Sequence, residues 1–111
     1  IENPFTLNLN SALKDAKQLM QEHDITGILI TDSENKLQGI LTLRDTLFED
    51  NDDIKVSDIM TSHPITARAT DSVSGVINLM IANNMKRIII VNENRKLVAL
   101  VQFRDLLKKI L

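Results

Sequence analysis

Two short stretches of the chain place a cation and a carboxylate side by side: Thr42-Leu43-Arg44-Asp45 and, 60 residues later, Gln102-Phe103-Arg104-Asp105. An aspartate carboxylate has two acceptor oxygens, enough to take both hydroxyls of a ribose-like diol in charge-assisted hydrogen bonds. A phosphate is suited by a hydroxyl donor, a cation and the backbone N–H groups at a helix start, which Thr42, Arg44 and a helix beginning there can supply. The arginine also offsets the repulsion between Asp45 and an anion. The same residues have a purely structural meaning, because a threonine N-cap followed three positions later by an acidic residue is a capping-box pattern. Gln102 is a poor N-cap and yet Asp105 recurs, so reciprocal capping does not account for the second aspartate. A carboxylate in a first turn still gains about 0.3–1 kcal/mol from the helix dipole, whereas a cation there opposes it. The recurrence of Arg44 as Arg104 therefore favours a functional role over a solvated one.

Other chemistry is excluded by what the 111 residues lack. Zero cysteines remove disulfides and thiolate metal sites. His23 and His63 stand far apart with no local acidic or histidine partner, so they read as surface or loop residues rather than ligands, and no metal is expected. There is no Gly-x-Ser-x-Gly elbow, no phosphate-binding Walker loop and no Gly-x-Gly-x-x-Gly. No catalytic residue is expected, and the chain reads as a non-enzyme. Three aromatic residues, Phe5, Phe48 and Phe103, make a base-stacking surface for oligonucleotides improbable. Thirteen basic against fifteen acidic residues give a net charge of -2, which attracts neither nucleic acid nor an anionic membrane. No apolar run is long enough to span a bilayer and no signal peptide is visible, so a soluble, cytoplasmic chain without membrane insertion is expected.

The elements that must position these residues come in duplicate. At an offset of 60 residues, without a gap, identical residues recur as Pro4/Pro64, Thr6/Thr66, Leu19/Leu79, Met20/Met80, Ile28/Ile88, Ile30/Ile90, Lys36/Lys96, Leu37/Leu97, Arg44/Arg104, Asp45/Asp105 and Leu47/Leu107. The chain is a tandem duplication of a unit of about 50 residues, too small to bury a full core alone. The expected division is residues 1–51 for the first repeat and 52–111 for the second. In the first, Leu13, Ala16, Leu19 and Met20 after the polar Asn10-Ser11 predict an amphipathic helix over residues 11–22. Its counterpart starts at Asp71-Ser72. The apolar runs at 27–31 and 87–91 predict buried strands, and the polar turns at 32–36 and 92–96 fold each back into a second strand, 37–41 and 97–101. Closing helices follow near Leu43 and Phe103. Residues 56–60 predict a small linker helix, the acidic stretch 49–53 a solvated connection, and Met20, Met60, Met80 and Met85 core filler. The fold class is α+β: two β-α-β-β-α units related by pseudo-two-fold symmetry.

This duplicated order of elements, with Gly39-Ile40-Leu41-Thr42-Leu43-Arg44-Asp45 and with Val56-Ser57-Asp58-Ile59-Met60-Thr61 leading to Pro64-Ile65-Thr66, resembles a tandem cystathionine-β-synthase (CBS) domain pair, or Bateman module, over essentially the whole chain. The stretches Asn3-Pro4-Phe5-Thr6-Leu7 and Phe48-Glu49 are similar to the module inserted in inosine monophosphate dehydrogenase. The resemblance implies a regulatory sensor of AMP-, ADP-, ATP- or S-adenosylmethionine-type ligands, bound between the two copies, with no cofactor of its own. It implies one site built from Pro64, Ile65, Thr66, Lys86, Arg87 and Ile88 with Thr42, Arg44 and Asp45. A second, weaker site takes Pro4, Phe5, Thr6, Thr26, Gly27 and Ile28 with Gln102, Arg104 and Asp105, because glutamine replaces the threonine hydroxyl. Ala99 at the place of Gly39 is expected to narrow that second site. The implied partners are an adenine nucleotide, a second copy of the module packed through helical faces, for which Leu106, Leu107, Ile110 and Leu111 are candidates, and a fused or associated effector. The alternatives are a ligand-free dimerisation or interaction scaffold, or the excised regulatory module of an inosine monophosphate dehydrogenase-like enzyme.

Overall fold

The computed structural model describes residues 4–111. In chain order the elements are β1 (Thr6–Asn8), α1 (Leu13–His23), β2 (Gly27–Thr31), β3 (Leu37–Thr42) and α2 (Leu43–Leu47), then a 3-10 turn at Val56–Asp58 and a two-residue strand β4 (Thr61–Ser62). The series then repeats as β5 (Thr66–Arg68), α3 (Val73–Ala82), β6 (Arg87–Val91), β7 (Leu97–Gln102) and α4 (Phe103–Leu107). Two compact units result, Phe5–Pro64 and Ile65–Leu111, and Pro4 groups with the latter. The first holds a four-stranded sheet in the order β1-β2-β3-β4, the second a three-stranded sheet β5-β6-β7. In both, the leading strand lies parallel to the middle one and the hairpin strands run antiparallel.

The hairpin strands follow from their residue types. β2 and β6 are the second strands of their sheets, flanked on both edges, and the last four of their five residues are buried. Continuous apolar runs such as Ile28-Leu29-Ile30 are what such a position selects. The turns between the hairpin strands are built alike. Asp32 Oδ1 accepts hydrogen bonds from the Glu34 and Lys36 N–H groups at 2.8 and 2.9 Å, and Asn92 Oδ1 accepts from Asn94 and Lys96 at 2.9 Å each. Asn35 and Arg95 then take the left-handed conformation, with φ of 63° and 64°. Helix α1 ends on the left-handed Asp24, and Asn84, one residue beyond the C-cap Asn83 of α3, takes the same conformation, both at φ 52°, where a short polar side chain carries it at low cost.

Each unit has its own core. Leu13, Ala16, Met20, Ile28, Ile30, Leu41 and Val56 form the first, and Ala67, Val76, Ile77, Met80, Ile88, Ile90 and Leu106 the second. Met60 packs against the first and Met85 against the second, so all four methionines serve the cores. The stripe of apolar residues at the C-terminal end divides: Leu106 is core and Leu107 packs on it, whereas Ile110 and Leu111 are exposed.

Two local expectations are corrected. Helix α1 starts at Leu13 rather than residue 11, and its N-cap Ala12 offers no side-chain bond. The orphan N–H groups of Leu13 and Lys14 instead donate to the carbonyls of Ile54 and Asp52 at 2.8 and 3.0 Å. The acidic stretch is therefore more than a solvated connection. Its backbone caps α1, while Lys17 Nζ holds Glu49 O at 3.2 Å and Asp52 Oδ1 at 2.7 Å, and Lys14 Nζ stands 3.6 Å from Asp53. The glycine at 39 also has a packing cause. A Cβ there would meet Thr61 O at 2.6 Å and Met60 Sδ at 2.7 Å, so β4 and Met60 can lie this close beside β3 only against a residue without a side chain. At the matching position of the second unit stands Ala99, in a sheet with no counterpart of β4 among the described residues.

Candidate functional site

The residues singled out from sequence gather, in each unit, where the start of one hairpin strand meets the start of the closing helix. Gly27 is paired with Thr42, and Leu43 donates its N–H to Thr26 O at 2.9 Å. The second unit repeats this: Arg87 is paired with Gln102, and Phe103 N donates to Lys86 O at 2.8 Å. The chain consequently presents Thr26, Gly27, Thr42 and Arg44 together in one unit, and Lys86, Arg87, Gln102 and Arg104 together in the other. Residues that the resemblance distributes between two sites are thus neighbours within a unit. Ile28 and Ile88, at 1% and 0% exposure, support these junctions from below as core residues and present no side chain to solvent.

At α2 the capping box is real. Asp45 Oδ2 accepts from both the Thr42 N–H at 2.8 Å and the Thr42 hydroxyl at 3.0 Å. Both bonds fall on one oxygen, which leaves Oδ1, with its two lone pairs, to meet the hydroxyls of a ligand. The structural and functional readings of Thr42 and Asp45 are compatible for that reason: the cap fixes the carboxylate, and a fixed carboxylate loses less entropy on accepting a ligand. Its counterpart differs, since Gln102 makes no side-chain cap bond at α4. Inside α2, Thr46 is buried at 4% exposure and returns its hydroxyl to Leu43 O at 2.7 Å. The matching position in α4 is Leu106, a core residue.

A cavity of about 310 Å³ in the Ile65–Leu111 unit is lined by Lys86, Arg87, Gln102, Phe103 and Arg104. That volume lies at the low end for small-molecule sites. Phe103 was missed as a site residue because an apolar residue at a helix start reads as core; it packs on the second core and also forms a wall of the cavity. Of the leading-strand residues, Thr6 is exposed, Phe5 and Ile65 are partly so, and Pro64 and Thr66 are half-buried. Phe5 rests against the His23 ring with centroids 4.4 Å apart, which gives this histidine a stacking role. Among the described residues no group of three or more His, Asp or Glu side chains is placed to hold a metal ion, and no helix is long and apolar enough to cross a membrane.

Two β-α-β-β-α units in tandem, each with a hairpin-and-helix junction that carries a carboxylate and at least one cation, define a small paired-repeat fold. The chain belongs to the CBS domain family, whose model matches residues 1–51 and 56–111. It is 30% identical over 109 residues to an inosine-5'-monophosphate dehydrogenase from Methanocaldococcus jannaschii, a match covering 98% of this chain and 22% of that enzyme. The chain thus spans about a fifth of the length of such relatives. Among solved structures it is similar to the CBS domain pair of protein MJ0100 in complex with 5'-methylthioadenosine and S-adenosyl-L-methionine, with a TM-score of 0.75, 27% identity, and coverage of 99% of this chain and 90% of that one. It is also similar to CBSX2 in complex with AMP, with a TM-score of 0.81, 20% identity, and coverage of 97% and 87%. The α+β fold of two CBS repeats is the fold of this chain.

Proposed function

We propose that the chain is a regulatory module that binds an adenine nucleotide of the AMP, ADP or ATP type and has no catalytic role of its own. The observation that carries this reading is the carboxylate of Asp45, held at the start of α2 by two Thr42 donors on Oδ2 alone; the cation-lined cavity at Lys86, Arg87, Gln102, Phe103 and Arg104 supports it. Adenosine ligands in two similar CBS pairs support it. The groups assigned to binding are Thr26, Gly27, Thr42, Arg44 and Asp45 in one unit and Lys86, Arg87, Gln102, Arg104 and Asp105 in the other, together with Pro4, Phe5 and Thr6 and with Pro64, Ile65 and Thr66 of the leading strands. Ile28 and Ile88 contribute from the strand backbone. Asp45 is the stronger ribose acceptor, because Thr42 orients it. Occupancy then acts on a fused or associated effector by favouring the arrangement of the module that binds the ligand better. A second copy of the module, packed through helical faces, is the further partner proposed.

Thermal unfolding tests the reading. A ligand at 100 times its dissociation constant adds about 2.7 kcal/mol to stability, so AMP, ADP or ATP at millimolar concentration raises the melting temperature measurably. Asp45→Ala reduces that rise more than Asp105→Ala, each compared with its own ligand-free melt. No rise with any adenosine ligand, or an unchanged rise in the Asp45→Ala protein, overturns the proposal and favours a ligand-free dimerisation scaffold.

A further inference from the structure

The two closing helices occupy matching places in the repeat, yet their C-terminal ends carry opposite charge. After Leu47 the first repeat continues Phe48-Glu49-Asp50, and after the matching Leu107 the second continues Lys108-Lys109-Ile110. Along α2 the side chains of Leu43, Leu47 and Phe48 are exposed, Phe48 to 86%. At the end of α4, Lys108, Lys109 and Ile110 are exposed. Among the described residues, the carboxylates of Glu49 and Asp50 and the ammonium groups of Lys108 and Lys109 enter no ion pair, while Lys14 and Lys17 are engaged with Asp53 and Asp52. One chain thus carries an apolar helix end flanked by two unpaired carboxylates and another flanked by two unpaired cations.

Neither end serves the fold, since Leu43, Leu47, Phe48 and Ile110 belong to neither core. An exposed aromatic residue beside two exposed leucines, rimmed by charge, has the make-up of an interface: apolar anchors give affinity, and the rim selects the partner. Opposite charges across such a rim attract and like charges repel. The acidic end is therefore matched by a basic helix end with an exposed aliphatic residue, and a second copy of this chain supplies one. We infer that the chain self-associates by docking the α2 end of one copy on the α4 end of another, with Phe48 against Ile110 and Glu49 and Asp50 opposite Lys108 and Lys109. Used twice around a two-fold axis, this contact closes a dimer. The inference rests on the second-copy partner proposed above and adds which ends meet; it needs no bound ligand.

Sedimentation velocity of the chain over a concentration series at low salt tests it. The unsubstituted chain is expected to dimerise, with a dissociation constant that rises with salt. Lys108→Glu/Lys109→Glu makes both ends acidic, and Glu49→Lys/Asp50→Lys makes both basic. Each double variant alone is expected to raise the dissociation constant about tenfold or more. Mixing the two in equal amounts restores the dimer, as does one chain with all four changes. Phe48→Ser weakens the dimer at every salt concentration. Thermal melts of the variants, expected close to that of the unsubstituted chain, exclude unfolding as the cause. Double variants that dimerise as tightly as the unsubstituted chain overturn the pairing of opposite ends and leave a second copy as the partner. Weakened variants that do not recover on mixing, or an unaffected Phe48→Ser dimer, also overturn it. A chain that stays monomeric at millimolar concentration overturns both the inference and the second-copy partner.

Discussion

Replacing Gly39 by alanine tests whether β4 and Met60 approach β3 as closely as the structure shows. The added Cβ would sit 2.6 Å from Thr61 O, 2.7 Å from Met60 Sδ and 3.0 Å from Met60 Cγ. The methionine can swing away, but the Thr61 carbonyl belongs to the backbone of a strand hydrogen-bonded to β3, so the strand itself must shift. Overpacking of this kind costs about 1–3 kcal/mol. For 111 residues with an unfolding entropy of about 2.1 cal/mol/K per residue, that lowers the melting temperature by about 4–13 °C. Calorimetric or circular-dichroism melts of Gly39→Ala measure it directly. The double variant Gly39→Ala/Met60→Ala should not regain even the stability of Met60→Ala alone, because the carbonyl clash persists. The reverse change at the matching position, Ala99→Gly, is expected to cost only about 0.5–1 kcal/mol, the conformational-entropy penalty of glycine in a strand. A Gly39→Ala protein that melts within 1 °C of the parent would refute the close approach and favour the view that glycine or alanine at this place reports on the ligand site.

Other expectations can be checked on the same set of proteins. The Lys36 N–H, with help from the Glu34 N–H, holds the Asp32 carboxyl below its ordinary pKa. A lowered folded-state pKa means that the carboxylate's contribution to stability is complete above the ordinary aspartate range and fades as pH falls through it towards the folded value. Asp32→Asn should therefore keep the turn, as Asn92 does in the second repeat, and flatten this part of the acid limb of a stability-versus-pH curve; an unchanged acid limb would count against it. Gln102→Thr recreates the Thr-x-x-Asp pattern ahead of α4 and is expected to stabilise the chain by about 0.5–1 kcal/mol in denaturant titrations; a loss of stability would show that Asp105 is committed elsewhere. Lys17→Ala removes contacts to Glu49 O and Asp52 and should cost about 1 kcal/mol, an effect that shrinks at high salt, since the Lys17–Asp52 pair is partly exposed.

The fold was legible in the sequence to the extent that it is written in repeated local patterns. The strand 27–31 and its copy 87–91 are marked by apolar runs bounded by polar turns, and the structure has them at those residues. The start of α3 is marked by Ser72, whose hydroxyl accepts the Gly75 N–H at 3.1 Å. The start of α1 was not legible, because its cap comes from the carbonyls of residues 52 and 54, and a backbone acceptor leaves no trace in residue type. The packing cause of Gly39 was hidden for a related reason. It is the approach of Met60 and Thr61 from another part of the chain, which no periodicity encodes. At the candidate site, the acidic and basic residues were visible as types, but the sharing of a single Asp45 oxygen by both Thr42 donors was not. Phe103 escaped notice because it serves twice, packing against the second core and lining the cavity.

The central claim, that an adenosine ligand binds at these hairpin-and-helix junctions, is most directly tested by following the backbone amide resonances of isotopically labelled protein during titration with ATP and with AMP. The account predicts saturable shifts concentrated at residues 26–28, 42–45, 86–88 and 102–105, with those at Asn35 and Arg95 in the distant turns unmoved. Saturation without shifts at those junctions, or no shift at millimolar ligand, would contradict it.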